Sequence, residues 1–340
     1  MVSSALTNAW QQGTDFLGSP YAIMGGAMSW ISERNLVSAL SEAGGFGVIA
    51  CGAMTPELLK AEIQATQALT SKPFGVNLIT MHPDLDSLID LCGELKVTHI
   101  VLAGGLPKTA SIERAKNHGA KVICFAPATA LAHKLIRSGA DALIIEGNEA
   151  GGHIGPVATS ILAQEILPFV REKYPHIPVF VAGGIARGET IVSYLHMGAA
   201  GVQIGTRFVC ATECIAHPNF KRIFIKSKAK DAGISIQIDP DLPVIPVRAI
   251  SNKASIEFEA LQREVSEEYR SGKLDKEEAQ LKIEHYWAGA LRRAVIEGDV
   301  ETGSVMAGQS VGLVTKEQPI AEIFAELIEQ AESHLSDPLQ

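Results

Sequence analysis

The 340-residue chain is poor in aromatic and basic side chains. It has 3 Trp, 5 Tyr and 11 Phe, and 29 Lys and Arg against 38 Asp and Glu, for a formal net charge of −9. That balance argues against a nucleic-acid surface, which needs a clustered basic face. No stretch approaches the roughly 18 uninterrupted apolar residues of a membrane span, so no membrane association is expected. Residues 1–15 hold no Lys or Arg and no long apolar run, and do not read as a secretory signal. Cysteine is scarce as well: Cys51, Cys92, Cys124, Cys210 and Cys214 are odd in number, and only the last two are close. Their CATEC spacing without a second pair is a weak metal signature, so reduced thiols of a cytoplasmic protein are expected. There is no GxxxxGKS, GxSxG, HExxH or EF-hand loop.

What is abundant is glycine, with 31 residues, and the glycines gather behind short apolar runs. The runs are YAIM from Tyr21, FGVI from Phe46, PFGVNLI from Pro73, THIVLA from Thr98, KVICFA from Lys121, DALIIEG from Asp141, PVFVAGG from Pro178 and AGVQIGT from Ala200. Successive starts lie 20–27 residues apart, with one gap of 37 after the sixth. Unbroken Val- and Ile-rich apolarity is the mark of parallel strands buried on both faces. Between the runs, apolar residues recur at helical spacing, as in Leu36, Val37 and Leu40. Thr55 before Pro56 predicts a helix N-cap followed by proline at the first helical position.

Eight β-then-α units of this period predict an α/β fold, a (β/α)8 TIM barrel, in preference to a doubly wound open sheet that six strands would satisfy. The rhythm breaks after Thr206. Residues 1–211 read as the barrel and 212–310 as a small, mainly helical second domain, inserted before the last helix and covering the mouth. Residues 311–340 read as a C-terminal helix returning to the barrel. Phe258, Leu261, Val265 and Tyr269 share one helical face of the inserted part.

In such barrels the working residues sit on loops that follow the strands. The long sixth gap holds EGNEAGGHIGP, with Glu146, Glu149, Gly151, Gly152, His153 and Gly155 inside ten residues. Glycines around one histidine let backbone approach a ligand and free the imidazole to face it. VAGGIARGE and GVQIGTRF end the seventh and eighth runs, where bare N–H groups can cradle a phosphate. Asn77 offers both donor and acceptor to a heterocycle edge. Gln203, inside an apolar strand, needs a partner for its amide. His99, His118, His133 and His196 read as structural or exposed.

The strings GGAMSW, SEAGGFGVIA, KPFGVNL, EGNEAGGHIG, VAGGIARG and GVQIGTRF resemble the FMN-dependent enoyl-[acyl-carrier-protein] reductase and nitronate monooxygenase (2-nitropropane dioxygenase-like) superfamily. The resemblance continues through AHPNFK, PVRAISNK and GALRRAVIEGDVETGSVMAGQSVGLV. It implies FMN held by Met24, Gly25, Gly26, Asn77, Glu146, Gly151, Gly152, Ala182, Gly183, Gly184, Gln203, Ile204, Gly205 and Thr206, with no metal. His153 is implied as the catalytic residue facing the flavin. Glu146, AHPN, PVRA and EGDV look like the enoyl reductase branch; nitronate monooxygenases usually carry Gln where Glu146 stands. The first branch implies NADH or NADPH as co-substrate and an enoyl thioester, small or borne by an acyl-carrier protein, in fatty-acid biosynthesis. The second implies a nitronate and O2, with His153 as general base. Lys221, Arg222, Lys226, Lys228 and Lys230 are a candidate basic patch for an acidic carrier. A homodimer is compatible with the sequence, which does not specify the assembly.

Overall fold

The computed structural model describes residues 3–52 and 54–336. Helices α1 (Ser4–Ala9) and α2 (Gln11–Leu17) precede the first strand. The chain then alternates: β1 (Ile23–Gly25), α3 (Arg34–Glu42), β2 (Val48–Ala50), α4 (Pro56–Leu69), β3 (Gly75–Ile79) and α5 (Leu85–Glu94). It continues through β4 (His99–Ala103), α6 (Thr109–Asn117), β5 (Lys121–Phe125), α7 (Thr129–Arg137) and β6 (Ala142–Glu146). A two-residue strand, β7 (Gly152–His153), interrupts the sixth loop. The last barrel units are α8 (Thr159–Lys173), β8 (Val179–Ala182), α9 (Gly188–Met197) and β9 (Gly201–Ile204).

Eight parallel strands pair in the order β1-β9-β8-β6-β5-β4-β3-β2. Closure comes from Phe46, just ahead of β2: Gly25 N donates to Phe46 O at 2.8 Å and Phe46 N to Ile23 O at 2.9 Å. All eight apolar runs carry a barrel strand, and Thr55 caps α4 by accepting from Leu58 N, with Pro56 behind it.

The floor of the barrel is plugged. Phe16 of α2 lies 5.2 Å from the His99 ring and 6.2 Å from Phe180, and Phe46 lies 4.8 Å from His99. His99 Nε2 bonds the Phe16 carbonyl at 2.9 Å, and a carbonyl only accepts, so Nε2 carries the hydrogen. Nδ1 then accepts from Thr98 Oγ1. Burial pushes the imidazole pKa down to about 4. This histidine is a neutral, fully bonded floor residue.

Beyond the barrel come α10 (Pro218–Lys226), β10 (Ala232–Ile234), β11 (Val247–Ile250), α11 (Lys253–Arg270), α12 (Lys276–Arg292) and α13 (Ile320–Ser336). This region divides between two cores. Phe258, Val265, Ala279, Ile283, Leu242 and Val247 form a small separate cluster, with Leu261 and Tyr269 against it. Phe220, Phe224, Leu291, Val295 and Val305 belong to the barrel's own core instead. Helix α13 lies on α9 and α3, where Phe324 stacks on Phe208 at 5.8 Å and Gln330 Oε1 accepts from Gly188 N. It fills the gap in the helical ring. Among the described residues no helix is long and apolar enough to cross a membrane.

The inserted stretch also holds strand that helical periodicity does not announce. β11 pairs antiparallel with both β10 and β7, so the sixth barrel loop is sewn into a three-stranded sheet with residues about a hundred positions away.

Candidate active site

In a parallel barrel, residues in register point to the same side. Gln203 is in register with Met24 and with Ala182, and Ala182 with Glu146. Phe180, two residues before Ala182, faces the plugged floor, so this layer faces the barrel interior one step nearer the mouth. Asn77, in register with Ala50 and Val101, reaches the mouth from the opposite wall, two residues above Gly75, the register partner of His99. Five of the expected residues therefore share the barrel interior: Met24, Asn77, Glu146, Ala182 and Gln203.

The polar members of this set are under-bonded. Asn77 Nδ2 donates to Val101 O at 3.1 Å, while its Oδ1 receives no hydrogen bond among the described residues. Gln203 is 7% exposed, and no hydrogen bond to its amide occurs among the described residues. The Glu146 carboxyl likewise has none, and burial alone pushes its pKa up to about 7 although part of its surface still reaches the mouth. None of these atoms is sealed from solvent, so the layer presents open donors and acceptors at the mouth, as a site for a polar ligand would. Gly26 lies directly on Gln203, where an added Cβ would come 3.5 Å from the amide-bearing chain.

Gly183 (φ 100°) and Gly184 (φ 74°) turn the chain at the end of β8 in a conformation that favours glycine. Thr206 opens a short 3-10 turn after β9, and its Oγ1 accepts from Gly308 N at 2.9 Å, leaving its own hydrogen to donate. A cavity of about 420 Å3 opens beside Gly183 and Gly184, lined also by Glu149, Gln309, Ser310 and Lys228. Its size falls within the roughly 300–1,000 Å3 of small-ligand sites. It lies on the glycine-loop side and does not extend to Asn77 or Glu146.

Gly25 and Ile204 are turned away from the mouth. They are in register with each other and have the opposite parity to Gln203; a Cβ on Gly25 would strike Leu40 of α3 at 2.4 Å. Gly26 N already bonds Ile204 O. Gly151 serves the chain's own packing: a Cβ there would meet the Ala307–Gly308 backbone at 2.6 Å. Gly152 and His153 form β7, with His153 exposed and opposite Val247. Of the basic patch, Lys221 is buried, its Nζ bonded to Ala211 O and Glu317, which removes it from any surface; Arg222, Lys226, Lys228 and Lys230 are exposed.

Several residues that shape the site make contacts that the sequence does not announce. The Glu149 carboxylate accepts from Thr159 N (2.8 Å) and Oγ1 (2.7 Å), anchoring the loop to the start of α8. Gln309 N donates to Glu149 O, and buried Arg248 donates to Asn148 O. The glycine-rich string around Gly308 and the PVR tripeptide were the available signals. The five thiols are buried and raised to about 11–12 by that burial. No group of three or more His, Cys, Asp or Glu is placed to hold a metal among the described residues.

Barrel, glycine loops and inward polar layer together define a (β/α)8 protein with a polar ligand site at its mouth. The nitronate monooxygenase family model matches residues 11–94 and 85–330, and the chain belongs to that family. It resembles the structure of FabK from Thermotoga maritima, with a TM-score of 0.83 and 36% identity over 96% of this chain and 97% of that one. A probable nitronate monooxygenase of Staphylococcus saprophyticus is 28% identical over 88% of this chain and 92% of its own. A Mycobacterium tuberculosis protein, (3aS,4S,5R,7aS)-5-hydroxy-7a-methyl-1-oxo-octahydro-1H-indene-4-carboxyl-CoA dehydrogenase, is 36% identical over 66% of this chain. That match spans 63% of the relative's length. The protein is an FMN-dependent oxidoreductase, and its under-bonded interior amides and bare glycine loops fit a flavin and its phosphate.

Proposed function

We propose that the enzyme reduces the carbon–carbon double bond of enoyl thioesters at the expense of NADH or NADPH. The observation that carries this reading is Glu146, a carboxyl on the inner wall whose pKa is pushed up to about 7. Near neutral pH it is in part a neutral acid, able both to donate a hydrogen bond and to give up its proton, whereas a glutamine amide can only donate and accept. The enoyl reductase strings support the same branch, and so does the higher identity to FabK than to the nitronate monooxygenase. The carboxyl-CoA named for the mycobacterial relative is a thioester, which supports that substrate class.

FMN, when bound, would supply the hydride-transfer chemistry between the nicotinamide and the β-carbon, with the proton for the α-carbon drawn from solvent at the open mouth. The chain's own residues orient the partners. Gly183, Gly184, Gly205 and Thr206 hold the phosphate through backbone N–H groups and one hydroxyl. Asn77, Gln203 and Glu146 hold the ring's polar edge, and the buried Met24 and Ala182 pack the wall behind them. His153 positions the thioester. An acyl-carrier protein would present longer substrates, with Arg222, Lys226, Lys228 and Lys230 as the basic surface it meets. Five buried cysteines, none bridged to another, support a cytoplasmic setting.

A second reading, oxidation of nitronates with O2, draws support from the family match and from the exposure of His153, which suits a general base. Anaerobic bleaching of the yellow holoenzyme separates the two. Rapid bleaching by NADH or NADPH, followed by turnover of a crotonyl thioester, is expected; bleaching by a nitronate alone would sink the reductase reading. Under the nitronate reading, H153A slows oxidation of neutral nitroalkane far more than that of the pre-formed anion.

A further inference from the structure

The PVR tripeptide is not among the residues proposed to hold FMN, yet its arginine is among the most buried charges of the protein. Arg248 is 5% exposed, and no carboxylate lies within ion-pair distance of it among the described residues. Its Nε donates to Asn148 O at 2.8 Å and its Nη1 to Ala232 O at 2.5 Å. Burial lowers the guanidinium pKa, with the nearby Glu149 charge acting against that. The Glu149 carboxylate is itself taken up by Thr159.

Asn148 is the base of the sixth loop. Its N donates to Val157 O at 2.8 Å and its Nδ2 to Pro156 O at 3.1 Å, so residues 148–157 form a closed loop with His153 near the apex. The loop contains Gly151, Gly152 and Gly155, whose backbone freedom leaves the apex loose unless it is tied from outside. Glu149 ties the near side to Thr159 and Gln309, and β11 ties the segment that carries the histidine: Val247 is in register with His153, Arg248 with Gly152, and Ile154 N donates to Pro246 O at 2.9 Å. A planar guanidinium with two carbonyl acceptors is a fixed fork, which an ammonium cannot reproduce.

We propose that Arg248 is a positioning residue for His153, its guanidinium clamping the Asn148 carbonyl and so fixing the loop and strand that carry the histidine. The inference rests on the reading of His153 as a group that meets the substrate.

The test uses FMN-loaded enzyme, with amide hydrogen exchange read from peptides covering 147–157 and 99–125 beside turnover of the best donor and acceptor pair. In R248M, exchange in 147–157 is expected to rise at least tenfold and to stay unchanged in 99–125. The kcat is expected to fall at least tenfold, with a smaller change in KM. R248K is expected to lie between, and it carries the same comparison if R248M does not retain FMN. In an H153A background, adding R248M is expected to cost less than a further twofold, because the clamp acts through the histidine. Unchanged exchange in 147–157 overturns the clamp while leaving His153 its role. A full, independent loss in the double variant overturns the coupling. Unchanged turnover in H153A overturns the reading of His153, and the positioning role with it.

Discussion

The two ends of the barrel are built from the same strands and obey opposite rules. At the floor, α2 closes the opening with Phe16, and both nitrogens of His99 are hydrogen-bonded. At the mouth, two residues further along the same inward-facing rows, the Gln203 amide, the Asn77 Oδ1 and the Glu146 carboxyl have no such partners among the described residues. One end is completed by the chain; the other is left for a ligand. Polar groups that fall short of satisfaction at one end of an otherwise well-satisfied core locate function more sharply than fold type does.

The largest expected effect tests the floor. Phe180→Ala removes a fully buried ring beside Phe16 and should cost about 3–5 kcal/mol in chemical denaturation. FMN affinity of the fraction that remains folded should change little. A comparable loss of affinity at unchanged stability would invert the assignment of the two ends.

Titration should show the ends pulling in opposite directions. Glu146 has a folded pKa raised from 4.5 to about 7, so its contribution is fully present below about 4.5 and is lost as pH rises through about 7. His99 has a folded pKa lowered from 6.5 to about 4, so the folded state loses stability as pH falls from about 6.5 toward about 4. Each limb is at most about 3 kcal/mol. In apoprotein denaturation across this range, Glu146→Gln should flatten the alkaline limb and His99→Gln the acid one. A Glu146→Gln curve that parallels the parent contradicts the shift.

Gln203→Leu should weaken FMN binding roughly tenfold, about 1.4 kcal/mol, in a fluorescence titration while leaving apoprotein stability equal or higher. Loss of stability instead would show that the amide has a partner within the chain. The smallest effect is a control in the helical shell: Thr55→Ala removes the α4 cap and should cost about 1 kcal/mol without touching either end.

Much of the fold was legible because its signals are local. Each strand announces itself as an unbroken apolar run, each helix as a 3.6-residue stripe, and Thr55–Pro56 as a cap. The inward parity of Asn77, Glu146 and Gln203 follows once the strands are placed. Less legible were the partners of the sixth loop. The run Val244, Ile245, Val247 and Ile250 is broken by Pro246, which hides the central strand of the small sheet. Gly151 reads as a ligand approach, yet it makes room for Ala307 and Gly308. Lys221 reads as surface charge, yet it is buried against Glu317 of a segment 96 residues away.

The sequence by itself determined the eight-fold alternation, the placing of bare glycines at strand ends and the kinship with flavin enzymes. These depend on residue periodicity and on short strings that any neighbourhood must respect. Only the tertiary structure decided which glycines face a ligand and which face the chain, that Gly25 turns toward α3, and that β11 holds β7. Those outcomes depend on contacts between residues tens to hundreds of positions apart. Such contacts form when apolar faces are buried together, and they leave no periodic trace in either partner alone.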